Sequence, residues 1–126
     1  MIQFKVVEKG QPGVTGGGEK KFYAQAKRKG VLTLESLSKE IALRSTMSEG
    51  DVTGVLISMV ETMEVFLGEG YQIELGQLGS LRISISSTGE TTADEVSTHS
   101  IKKARMLFRP GRRIQKMLTT LLYSKS

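Results

Sequence analysis

Residues 52–85, VTGVLISMVETMEVFLGEGYQIELGQLGSLRISI, contain the change of hydrophobic period that decides the fold. In the first half of this stretch apolar residues recur at three- and four-residue steps, which predicts an amphipathic helix of about five turns. Residues 48–51, Ser-Glu-Gly-Asp, resemble a capping box and should begin that helix, and Gly68 or Gly70 should end it. From Tyr71 onward the period becomes two, which predicts a β-hairpin with one apolar face.

Before this stretch the chain predicts two strands and a helix. Residues 2–6 alternate between apolar and polar, residues 9–19 form a glycine-rich turn or loop, and residues 22–24 begin a possible second strand. Thr33 is typical of a helix N-cap, and the helix that follows it should end near Ser45.

After the stretch the chain predicts a polar segment, a strand and a short helix. Residues 86–100 hold eight Ser and Thr, which indicates a polar loop or an extended arm. Residues 103–109 alternate between apolar residues and mostly basic ones, which predicts a third strand, and the Pro-Gly pair at 110–111 should stop it. Apolar spacing over residues 114–122 predicts a short final helix. Segregated helices and antiparallel strands define an α+β fold.

Composition excludes several classes of protein. A chain of 126 residues with average apolar content favours one globular domain, and the absence of Cys excludes a disulfide scaffold and fits a reducing cytoplasm. The single histidine, His99, lies in the polar segment and is interpreted as solvated. Glu19 follows the last glycine of the loop where a phosphate-binding loop needs Lys. We therefore expect no enzyme, metal, cofactor, small-molecule substrate, signal peptide or membrane span.

The charges are arranged in three blocks along the chain. Residues 1–44 carry nine Lys and Arg against four Asp and Glu, residues 45–81 carry six acids and no base, and residues 82–126 carry nine bases and three acids. This basic–acidic–basic order suggests that one element faces away from a polyanion while the other two face it. The alternative is a chance clustering of charges on solvated faces.

The bases of the C-terminal block are the strongest candidates for function. Lys and Arg are the residue types that bind phosphate, since each contact releases condensed counterions, and the N–H groups that open the last helix can add to the site. The alternative is a strand edge whose bases prevent aggregation. The candidate DNA-binding residues are Arg82, Lys102, Lys103, Arg105, Arg109, Arg112, Arg113 and Lys116.

The order of helix, long helix, hairpin, arm, strand and short helix resembles the HU and integration host factor family of bacterial histone-like proteins. Three stretches carry the resemblance: residues 69–81, EGYQIELGQLGSL; residues 108–114, FRPGRRI; and the helical pair over residues 33–67. The likeness covers residues 31–122. Residues 1–30 look like the N-terminal strand extension of a longer HU-like subgroup.

The resemblance implies an intertwined dimer and a division into an extension, residues 1–30, and an HU-like domain, residues 31–126. It implies a cytoplasmic, nucleoid-associated protein that binds double-stranded DNA with little sequence specificity, as a homodimer or with a paralogue. Binding would use a basic strand and helix surface together with two β-arms that wrap the minor groove. Whether Met59 and Met63 pack within one chain or between two is left open by their spacing alone. The expected dimer core is Met59, Met63, Phe66, Leu78, Leu81 and Phe108.

The arm departs from the family pattern. In the family a proline at the arm tip wedges between base steps and kinks the duplex. Residues 88–95 contain no proline and three acids, Glu90, Asp94 and Glu95. Binding by the body of the molecule is therefore favoured over kinking by the arms.

Two other interpretations stay open. Residues 32–42 also suit the first helix of a winged-helix regulator, but the next helix, within residues 48–67, holds four acids and no base, so phosphates would repel it. The second is an HU-like dimeric interaction module whose acidic arm has lost DNA binding.

Overall fold

Three α-helices and two three-stranded sheets make up the computed structural model, which describes residues 1–126. The mixed α+β class predicted from the sequence is confirmed. The elements are β1 (Ile2–Lys9), β2 (Lys21–Ala26), α1 (Leu34–Leu43), α2 (Glu49–Gly68), β3 (Ile73–Glu74), β4 (Gly79–Ser87), β5 (Ile101–Pro110), α3 (Arg112–Thr119) and β6 (Tyr123–Lys125).

The two long helices begin at the N-caps that the sequence predicts. The Thr33 hydroxyl accepts a hydrogen bond from the Ser36 amide at 3.2 Å, and the Ser48 hydroxyl accepts one from the Asp51 amide at 3.1 Å. Each bond satisfies a backbone donor that has no partner within the helix. α1 and α2 pack against each other, and Ser38 of α1 is fully buried, its hydroxyl donating to the Leu34 carbonyl at 2.8 Å.

The central sheet has the order β3-β4-β5 with antiparallel pairing throughout. Leu81 lies opposite Phe108, and Ile83 lies opposite Met106. Because side chains alternate across a strand, these residues share one side of the sheet, which we call the apolar face. The predicted hairpin is confirmed, although its first strand, β3, is only two residues long.

The turn between β3 and β4 is locked onto the start of α3. The Gly111 amide donates to the Leu78 carbonyl at 2.9 Å, and the Leu75 amide donates to the Gly79 carbonyl at 2.8 Å. A Cβ atom added to Gly79 would clash with the Arg109 carbonyl oxygen. The backbones therefore approach more closely than any side chain at residue 79 would allow.

Residues 88–100 form a hydrogen-bonded segment that connects β4 and β5, which we call the distal segment. It contains two short 3₁₀ turns. The hydroxyls of Thr88 and Ser100 both donate to one carboxylate oxygen of Glu90 at 3.0 Å, and Ser100 is buried. The polar residues of this segment thus satisfy one another in an ordered connection.

The second sheet joins the two ends of the chain in the order β2-β1-β6. β1 pairs antiparallel with β2 and parallel with β6, where Ile2 lies opposite Tyr123. The prediction of a final helix through Leu122 is wrong in its extent, because α3 ends at Thr119. The hydroxyls of Thr119 and Thr120 donate to carbonyls of the last turn, at 2.7 and 3.1 Å, and so compete with continuation of the helix.

The protomer buries few residues for its size. Only 5 of its 126 residues are buried, and its solvent-accessible surface is 10702 Å². A compact monomer of 13.8 kDa would expose roughly 6,600 Å² by the usual scaling of surface with mass. Much apolar surface of α2 and of the central sheet is therefore left uncovered within one chain.

None of the helices combines the length and apolarity needed to cross a membrane. No group of three or more His, Cys, Asp and Glu side chains is placed to hold a metal ion.

Candidate nucleic-acid interface

The side of the central sheet opposite the apolar face carries one cation in each of four successive residue pairs. We call this side the basic face. Its pairs are Ser80 with Arg109, Arg82 with Leu107, Ser84 with Arg105 and Ser86 with Lys103. Two residues of strand advance about 6.8 Å, so the four cations form a row about 20 Å long.

The cations of the basic face are exposed and have no carboxylate partner. Arg82, Lys103, Arg105 and Arg109 are all exposed to solvent. The only ion pair in the molecule joins Lys39 to Glu35 on α1, at 3.8 Å. One acid, Glu74, belongs to the same side at the edge strand β3, where it lies opposite Ser80. Three of the four cations lie opposite serines, whose small side chains leave the surface open to a ligand.

The bases of α3 continue this surface. Arg112 and Arg109 line the same polar cleft, of about 530 Å³, together with Ser80 and Glu74. Lys116 follows Arg112 by four residues and therefore lies on the same side of the helix. The basic stripe of α3 thus begins beside the end of the basic face.

Arg113 is tied to the turn that precedes β4. Its guanidinium donates to the Gln77 side-chain oxygen at 3.2 Å. The side of α3 that lies opposite Arg112 and Lys116 is apolar, as a period of 100° per residue requires. It carries Ile114, Met117 and Leu118. The helix is thus amphipathic, with bases on one side and apolar residues on the other.

Among the predicted bases of β4 and β5, Lys102 is the only one that alternation does not place on the basic face. The pairing shifts between Ser86, opposite Lys103, and Ser87, opposite Ile101, so that Lys102 is the extra residue of a β-bulge. It lies at the far end of β5, next to the distal segment with its three acids. The structure therefore brings together four bases on the sheet and places Arg112 beside them, while Lys102 stands apart.

The residues predicted for a dimer core lie mostly at the surface of the protomer. Phe108 is 50% exposed and Leu78 is 48% exposed. Phe66 is 45% exposed and packs edge-to-face on Tyr71, with ring centroids 5.7 Å apart. Met59 is exposed as well, whereas Met63 and Leu81 are partly buried. Leu81 and Phe108 face each other across β4 and β5.

Sequence reasoning missed the serines of the basic face and the bases of the N-terminal sheet. Ser84 and Ser86 became part of the site only through their positions opposite Arg105 and Lys103. The register between two strands fixes such positions, and the 13 residues of the distal segment separate the strands in sequence. The charge count over residues 1–44 was the available signal for the N-terminal bases.

Comparison with known proteins gives one family and one fold. A family model described as "HU domain fused to wHTH, Ig, or Glycine-rich motif" matches residues 1–125. A crystal structure from Bacteroides vulgatus ATCC 8482, of a protein described as a "Putative bacterial DNA binding protein", superposes with a TM-score of 0.68 at 10% identity. It covers 98% of this chain, which spans about half, 47%, of that protein. A search of curated proteins returned no significant match.

Proposed function

Since the chain belongs to the HU-HIG family, whose members fuse an HU domain to a winged-helix, Ig or glycine-rich motif, we propose that it binds double-stranded DNA without an enzymatic step. The binding surface is the basic face together with the start of α3. The observation that carries the proposal is the row of four cations, one in each residue pair, on one side of β4 and β5.

Binding through this surface has little sequence specificity. Lys and Arg on a twisted ribbon neutralise phosphates, and phosphate contacts fix orientation without identifying bases. α2 does not serve as a recognition helix, because it contains only acidic charges and phosphates would repel it. The protein therefore acts in the manner of a histone-like, nucleoid-associated protein of the bacterial cytoplasm.

The active species is a dimer built on the apolar face and α2. The protomer exposes roughly 4,000 Å² more than a compact chain of its mass, and stable homodimers bury a total of about 2,000–5,000 Å² from both partners. The six predicted core residues are our candidates for the paired surface, and four of them, Met59, Phe66, Leu78 and Phe108, are exposed in the protomer. A second copy of the chain or a paralogue fits this role, with residues 31–126 as the paired domain and residues 1–30 as its extension.

The distal segments, as the arms of the dimer, do not kink DNA by intercalation. A kink by intercalation needs an apolar wedge such as proline, and unstacking a base step requires a few kcal/mol. The distal segment has no proline, and Glu90, Asp94 and Glu95 would be repelled by phosphates. We therefore assign contact with DNA to the basic face rather than to the tip.

The central test is a titration of random-sequence duplex at several salt concentrations. If the four cations of the basic face contact phosphate, the logarithm of affinity should fall with the logarithm of salt with a slope steeper than about −3.6, at about 0.9 for each contact. Fluorescence anisotropy with a labelled 20-base-pair duplex measures this slope. An unchanged affinity across the salt range would reject the proposal in favour of an interaction module that has lost DNA.

The dimer predicts a sedimenting species of twice the chain mass of 13.8 kDa. Phe108→Asp should shift that species to the monomer, since it places a charge on the surface that the partner covers. Analytical ultracentrifugation at micromolar concentration measures the change. The matched control is Phe22→Asp, which alters an equally apolar residue that is 70% exposed on the N-terminal sheet and should remain dimeric. A wild-type monomer at this concentration would contradict the dimer.

A further inference from the structure

The N-terminal sheet has its own cationic side, separate from the central sheet. Along β1 and β2, Lys5 lies opposite Gln25, Val7 opposite Tyr23, and Lys9 opposite Lys21. The Lys27 amide donates to the Gln3 carbonyl at 2.8 Å and so continues the same pairing by one step. Alternation therefore places Lys5, Lys9, Lys21 and Lys27 on one side of the sheet, which we call the second basic face.

The second basic face carries no acid from its two strands. Glu8, the only acid within β1 and β2, lies opposite Phe22 and belongs to the other side of the sheet. That other side is apolar, with Phe4 opposite Ala26 and Val6 opposite Ala24. The N-terminal sheet is thus amphipathic in the same manner as the central sheet, with bases on one side and apolar residues on the other.

Two lysines of this face repel each other in the free protein. Lys9 and Lys21 lie directly opposite in an antiparallel pair, an arrangement that destabilises a sheet when the charges are alike. Neither forms an ion pair. The Lys9 ammonium instead lies 5.3 Å from the centre of the Tyr23 ring, which holds it over the sheet. A polyanion on this face would remove the repulsion.

Three consecutive bases extend the face at the end of β2. Lys27, Arg28 and Lys29 line a cleft of about 480 Å³ with Gln3 and Ser124. We propose that the second basic face and this cleft form a second surface for the phosphate backbone of double-stranded DNA. The inference rests on the proposed function in that both surfaces bind the same ligand, and it assigns a role to the extension of the HU-like domain.

A charge-neutral triple variant tests the second surface. Lys5→Gln, Lys21→Gln and Lys27→Gln together should lower the magnitude of the salt slope by about 0.9 for each lost contact. Lys9 is kept so that the Tyr23 contact remains. The matched control, Lys39→Gln, Arg44→Gln and Lys125→Gln, removes the same charge outside both basic faces. Slopes are measured by anisotropy with the same duplex, and circular dichroism verifies the fold of each variant.

The possible results separate the two proposals. A triple variant that matches the control, while loss of Arg82, Arg105 and Arg109 weakens binding, overturns the second surface alone. The reverse pattern supports the second surface and overturns the central one. A wild-type protein that binds no duplex overturns both.

A single substitution gives opposite expected effects on stability and binding. Lys21→Glu converts the repelling pair with Lys9 into an attractive one, so the melting temperature without DNA should rise. The same change should lower duplex affinity by roughly tenfold or more, since it replaces a phosphate contact by a repelling charge. Thermal unfolding and anisotropy measure the two effects. A rise in melting temperature with unchanged affinity would overturn the second surface.

Discussion

Replacing Arg82, Arg105 and Arg109 by Gln should reduce affinity for duplex DNA several hundred-fold at 0.1 M salt. The three arginines occupy three of the four successive residue pairs of the basic face. For each phosphate contact that is lost, the affinity falls by a factor of roughly eight for every decade of salt concentration below 1 M. The magnitude of the salt slope should fall by about 2.7 for each protomer of the dimer that contacts the duplex, so several hundred-fold is the loss for one contacting protomer and the loss for two is larger. Anisotropy titrations between 0.05 and 0.3 M salt cover the useful range, because the Debye length falls from about 14 Å to about 6 Å over it.

The control for this prediction must carry the same net charge. The variant with Lys39, Arg44 and Lys125 replaced by Gln meets that condition, because those bases lie on α1, just after it, and on β6. It should lose far less affinity, through the general field of the protein alone. Equal losses in the two triple variants would show that net charge, rather than the row of arginines, controls binding.

Replacing Gly79 by Ala should destabilise the fold by about 3–5 kcal/mol, through a backbone clash together with an unfavourable dihedral angle. Gly79 has a φ of +140°, and an added Cβ would clash with the Arg109 carbonyl oxygen and lie 2.9 Å from the Gly111 amide nitrogen. β4, β5 and the start of α3 meet at this position. Urea unfolding measured by circular dichroism gives the change in free energy.

Two other glycines supply controls of graded effect. Gly76→Ala introduces the same methyl group at a φ of +58°, where no atom lies within 4 Å of it. The only cost is then the unfavourable dihedral angle, which should destabilise the fold by about 1–2 kcal/mol. Gly54→Ala lies in the interior of α2 with open space around it and should stabilise the protein by about 1 kcal/mol. Equal effects of Gly79→Ala and Gly76→Ala would show that the strands can separate to admit a side chain.

Helices and local turns could be predicted from the sequence because their signals are contiguous. The N-caps Thr33 and Ser48, the long α2 and the Pro-Gly junction before α3 all depend on residues within a few positions of each other. The apolar side of the hairpin follows for the same reason, since alternation along one strand fixes which residues share a side.

The candidate site could be predicted in composition but not in geometry. The sequence marks Arg82 and Arg105 as alternating with apolar residues, yet their adjacency depends on register, with Arg82 opposite Leu107 and Arg105 opposite Ser84. The bulge at Lys102 is likewise a property of two strands together. In the N-terminal sheet the sequence predicts β1 and the beginning of β2 but not β6. β6 is only three residues long, and the strand that it pairs with is more than 110 residues away in sequence.

The pairing of β6 with β1 has a consequence for the order in which the protein forms during synthesis. β1 and β2 can pair early because a short loop joins them, whereas the other edge of β1 finds its partner only after residues 123–125 have left the ribosome. Contacts so distant in sequence form slowly. For that interval the nascent chain carries an open strand edge with Ile2 and Phe4 beside it, a site where neighbouring nascent chains can associate.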